Sequence, residues 1–105
     1  MPRVKLVYHL TEEHFDDFVN WNENVFVGFT SLQQQGLHAI VQAELELVAS
    51  KLVEEKKDIQ VCLLDIDSSP MIEGRYSRLR PPSFKLFQNA VPLDYTNKYN
   101  HVDIL

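Results

Sequence analysis

The chain has 105 residues, 45% of them hydrophobic and 24% charged, with ten Lys and Arg against fifteen Asp and Glu for a formal charge of −5. Those figures suit one globular domain burying roughly 65% of its unfolded surface, and they exclude disordered, collagen-like and coiled-coil chains. No apolar run approaches the roughly 20 residues of a membrane span, no secretory signal is recognisable, and the acidic balance argues against nucleic acid as a partner.

Val4–Leu10, rich in β-branched and aromatic residues, predicts a strand. Thr11 is placed as a helix N-cap, Glu12 and Glu13 suit the first turn, and Phe15, Phe18 and Val19 give the apolar spacing of a short amphipathic helix. Asn20–Asn24 is a turn, and Val25–Phe29, apolar on both faces, is a central strand packed on two sides. Thr30–Gly36 is a loop or irregular helix start. Leu37, Ile40, Val41, Leu45, Val48, Leu52 and Val53 then keep helical spacing, predicting a long helix with one buried stripe that ends near Glu54–Lys57.

Ile59–Asp67 is a second strand apolar on both faces. Ser69 and Pro70 supply an N-cap and first-turn proline for a short helix reaching about Tyr76. After a loop, residues 83–88 and 92–95 form two strands joined by an Asn89-Ala90 turn, and the tail holds the first turn of an unfinished helix. The order β-α-β-α-β-α-β-β needs parallel pairing through helical crossovers and a final antiparallel hairpin. It predicts a mixed α/β sheet with helices on both faces.

Charge is uneven along the chain: residues 1–50 hold two bases against seven acids, while residues 51–105 hold eight of each. Cys62 is the single cysteine, which excludes an internal disulfide and any cysteine-pair chemistry. Within an apolar strand it reads as a small buried hydrophobe. His9, His14, His38 and His101 fall on different elements, so no metal site is expected, and three glycines are too few for a phosphate-cradling loop. No cofactor is expected.

The order of elements, the opening LTEEHFDDFV and the gap-free run of Asp65-Ile66-Asp67, Pro70, Tyr76, Pro82-Ser83 and Phe87 resemble the thioredoxin-like superfamily. The likeness is to domains of the protein disulfide isomerase type. Pro92 to Tyr95 is similar to a further isomerase segment, although Asn97 and Tyr99 stand where Gly and Arg are usual. The resemblance implies a thioredoxin-like fold of about five strands over residues 1–105. The last helix would be cut short, as in a domain excised from a larger protein.

The same resemblance places the family's two thiols near Gln34 and Leu37 counting forward from Phe29, or one residue away counting back from Ala49. It places the buried acid at Gly28 and a partner lysine at Leu63, so every part of the redox apparatus is missing. It implies a cis bond between Pro81 and Pro82, where Pro81 has no N–H to offer a substrate strand. The expected function is a redox-inactive, non-enzymatic module that binds another protein or an unfolded client peptide. Its surface would comprise Leu32, Gln33, Gln34, Leu37, Arg80, Pro81, Pro82 and Ser83. Neighbouring domains in a parent chain are expected, and the endoplasmic reticulum lumen is favoured by the resemblance alone. Two alternatives stay open: a redox enzyme or sensor using Cys62 alone, and a purely structural spacer.

Overall fold

The computed structural model describes residues 7–76 and 82–95. In chain order the elements are β1 (Tyr8–Leu10), α1 (Glu12–Trp21), β2 (Asn24–Thr30), α2 (Gln35–Glu54), β3 (Gln60–Asp65), a 3-10 turn (Ile66–Ser68), α3 (Pro70–Arg75), β4 (Ser83–Gln88) and β5 (Val91–Tyr95). The sheet has the strand order β1-β3-β2-β4-β5. β1 and β2 both run parallel to β3, while β4 is antiparallel to β2 and to β5. This is the mixed, two-sided sheet predicted from the sequence.

Period-two alternation along the central strands builds a core on each side. Val25, Val27, Phe29, Cys62 and Leu64 point to one face, where α1 and α3 cover them with Phe15, Val19 and Ile72. Phe26, Val61, Leu63 and Phe84 point to the other, beneath the α2 residues Val41, Leu45, Val48, Ala49 and Leu52. Aromatic packing closes both layers. Phe15 meets Phe87 edge-on at 5.5 Å, and Phe26 stacks on Phe84 at 5.6 Å.

Several boundaries differ from the sequence reading. β3 stops at Asp65 because Asp65 and the 3-10 turn bend the chain, where a strand through Asp67 was expected. α1 runs on to Trp21, and α2 begins at Gln35. Ile40 and Val53 do not belong to the buried stripe and are 67% and 62% exposed. Helical geometry carries them round to the outer face, and the residues that pack inward are Val41, Leu45, Val48 and Leu52. Thr11 and Ser69 stand at the N-cap positions expected of them, yet neither side chain makes a capping bond.

The N-terminus of α3 is capped from a distance instead. Glu12 Oε2 accepts from the backbone N–H groups of Met71, at 2.7 Å, and Ile72, at 3.1 Å. One turn further along both helices, Arg75 donates two parallel bonds to the Asp16 carboxylate at 2.6 and 3.1 Å. α1 therefore straps α3 at both ends.

Two segments close with residues in the left-handed region. After α2, Lys57 N–H reaches Leu52 O and Lys56 N–H reaches Val53 O, a Schellman arrangement with Lys56 at φ 57°. The β4–β5 turn uses Asn89 at φ 51° and Ala90 at φ 67°, the signs of a type I′ hairpin. β5 is an edge strand, and Pro92 lies opposite Phe87, one pair beyond Gln88–Val91 at the turn. That alternate pair carries no ladder bonds, so the nitrogen of Pro92 faces the open edge, where a missing N–H costs the sheet nothing.

Candidate functional site

The segment between β2 and α2 carries the sequence-predicted site. β2 ends with Thr30, which is fully buried, and Ser31 follows at 3% exposure. Leu32, Gln33 and Gln34 then turn outward into solvent before the helix starts. The turn is closed by Gln34 N–H donating to Ser31 O at 3.1 Å, and His38 N–H donates to Gln34 O at 2.9 Å as the helix begins.

Polar support for this loop comes from the end of the neighbouring strand. Asp65 lies in register with Thr30. Its Oδ1 accepts the Leu32 N–H at 2.9 Å and the Asp67 N–H at 3.3 Å, while Oδ2 accepts the Ser68 hydroxyl at 3.0 Å. Asp67 Oδ2 accepts the Ser31 hydroxyl at 2.5 Å and the Gln33 N–H at 3.1 Å. The Ser31 hydroxyl, then the Gln33 N–H, hold the Asp67 carboxyl below the usual aspartate range. Two carboxylates thus fix three successive residues of a loop more than thirty positions earlier in the chain.

Of the predicted residues, Leu32, Gln33 and Gln34 present their side chains at the carboxyl end of β2, and Leu37 is half-buried against the α2-side core. Ser83 starts β4 in register with Phe29, which puts it and Pro82 at the same end of the sheet, on the opposite flank of β2 from Asp65. Arg80 and Pro81 lie outside the described residues, and so does the Pro81–Pro82 peptide bond. The bracing role of Asp65 and Asp67 was missed in the sequence, where the pair served only as part of a family pattern. Two acids flanking Ile66, the last apolar residue of the strand predicted over Ile59–Asp67, were the available signal.

Positions that would carry thiol chemistry hold other groups. Gln34 is the N-cap of α2, where a thiolate would meet the helix dipole, and its amide makes no capping bond. At Gly28 an added Cβ would come within 2.7 Å of Leu45 Cδ1. Cys62 is fully buried in β3, and burial pushes its thiol up to about 12. Among the described residues no group of three or more His, Cys, Asp and Glu side chains is arranged to hold a metal ion. None of the described helices is long and apolar enough to cross a membrane.

No family model matches the chain. Solved structures do. The first thioredoxin domain of mouse protein disulfide-isomerase A4 superposes with a TM-score of 0.82 at 22% identity, covering 98% of this chain and 73% of that one. The zinc-bound form of human ERp44 gives 0.74 at 23% identity over 93% of this chain, and mitochondrial thioredoxin 3 from Saccharomyces cerevisiae gives 0.70 at 20% over 93%. This chain spans only 29% of the ERp44 chain, 47% of an ERdj5 fragment and 89% of the yeast thioredoxin. The protein has the thioredoxin fold, and its single cysteine leaves it without a CxxC pair.

Proposed function

We propose that this thioredoxin-fold chain is a non-catalytic module that binds an extended segment of another protein at the loop between β2 and α2. The observation that carries this reading is the loop itself. Its backbone N–H groups at Leu32 and Gln33 are satisfied by Asp65 and Asp67, and its side chains Leu32, Gln33 and Gln34 are left outward. A loop braced in this way is preorganised for contact, which lowers the ordering cost of binding. Leu32, 51% exposed, supplies apolar area, and the glutamine amides can pair with a peptide backbone.

The chain spans less than a third of ERp44, so the reading includes a parent protein with further domains. An endoplasmic reticulum location rests on the resemblance to disulfide isomerase domains. With Pro81 unable to donate, binding is weak, on the order of tens to hundreds of micromolar, and suited to transient contact.

Amide chemical shifts followed while unstructured ten-residue peptides are titrated in test this reading. Shifts grouped on residues 31–37 and 82–83 support it, as does their loss in Leu32→Asp with the rest of the spectrum unchanged. Saturable binding mapped to a remote surface, or no binding at millimolar peptide, overturns it.

A further inference from the structure

Beside the loop, at the carboxyl ends of β1, β3 and β2, the α2 face of the sheet opens into a cavity of about 210 Å³. Ligands of parallel sheets collect at this end of the strands. Leu63, 4% exposed, is an apolar wall and Leu32 forms part of the rim. The polar lining comes from His9, Thr30, His38 and Asp65, with Thr30 Oγ1 3.4 Å from His38 Nδ1.

The chemistry of a fitting ligand follows from Asp65. An ionised carboxylate offers about four acceptor positions. Leu32 N–H, Asp67 N–H and the Ser68 hydroxyl fill three of them. Among the described residues no lysine or arginine lines the cavity, which leaves one acceptor position and the negative charge of the carboxylate. His9 and His38 bring ring nitrogens to the lining, and Asp67 adds a second negative charge close by. An anion is repelled here, whereas a cation with N–H donors and an aliphatic stem is matched at both ends.

We infer that the cavity takes a basic side chain, arginine or lysine, from the peptide bound across the loop. This rests on the peptide-binding reading above and adds to it a class of partner. Leu32 belongs to both surfaces, so a chain lying over the loop passes the mouth of the cavity. Ser83 on β4 and Asp65 on β3 flank β2, two strand spacings or about 10 Å apart, within reach of an arginine side chain and its own backbone. The stem lies on Leu32 and Leu63, and the head group reaches Asp65. A formal charge of −5 draws basic partners to the domain from solution.

Two capped hexapeptides, identical except for arginine or its neutral isostere citrulline at one central position, test the inference by amide-shift titration at low salt. The arginine peptide is expected to bind about five-fold more tightly, the size of a partly exposed ion pair, and to shift Thr30, His38, Leu63 and Ser68. The His9→Lys variant places an ammonium at the exposed rim, so it should abolish the preference. Equal affinity for both peptides with shifts confined to the loop overturns the basic-side-chain assignment and leaves the peptide reading intact. Absence of binding by either peptide overturns both. A preference that survives His9→Lys without shifts at the cavity overturns the location.

Discussion

Leu45 fills the space that any side chain at Gly28 would need, with its Cδ1 2.7 Å from the position of an added Cβ. Both residues sit in the closed layer between β2 and α2, and Leu45 is fully buried. An acid at position 28 therefore has no room. Gly28→Ala is expected to cost about 1–3 kcal/mol in chemical denaturation, the usual size of overpacking. Adding Leu45→Val, which removes the close Cδ atom, should recover part of that loss. The double-mutant coupling should then be at least about 0.5 kcal/mol in the favourable direction.

Two aspartates set the acid side of the stability profile. Arg75 holds the Asp16 carboxyl below its usual range, and Ser31 with Gln33 does the same for Asp67. Depressed folded values mean that the unfolded chain binds these protons first. Their stabilisation is complete above the ordinary aspartate value of about 4 and is lost as pH falls through the lower folded values. Urea midpoints measured from pH 6 downward should fall below about pH 4, and Asp67→Asn should flatten the decline.

Cys62 offers a direct check on chemistry by a single thiol. With its thiol pushed up to about 12, roughly one molecule in 100,000 carries the thiolate at neutral pH. Iodoacetamide should leave the folded protein unlabelled over hours and modify it at once in denaturant. Labelling of the native state at the rate of a free thiol would support the sensor alternative. The raised value also favours the folded state only while the unfolded thiol stays protonated, so this contribution disappears as pH rises from 9 toward 12.

Lys56 and Ala90 adopt positive φ without the freedom of glycine. Lys56→Gly at the end of α2 and Ala90→Gly in the hairpin should each stabilise the protein by about 0.5–1 kcal/mol, read from thermal or urea unfolding. The sites are on separate elements, so the gains should add.

The sheet and its helices were legible because apolar periodicity records burial on a two-sided sheet. The runs around Val25–Phe29 and Val61–Leu64 left no other placement, and the turn at Asn89-Ala90 announced itself by composition. Pair contacts across long separations were not legible. Nothing local to Ser69 says that a carboxylate 57 positions earlier, at Glu12, will cap the helix it opens. Ile40 and Val53 were read as core because one-dimensional spacing cannot separate neighbours about 100° apart on a helix. For the site, spacing located the loop by what it lacks, while the carboxylates that brace it became visible only once β3 lay beside β2.

The strapping of α3 by α1 bears on the order in which the chain assembles. A helix of six residues is too short to hold itself together in water, and α3 begins with a serine that makes no capping bond. Its cap and its ion pair both come from residues 59 or 60 places away, so they exist only after the intervening β2, α2 and β3 have brought the ends together. α3 is therefore expected to join late in folding, and the nucleus is to be sought in the β2–α2–β3 unit, whose α2-side layer closes without it.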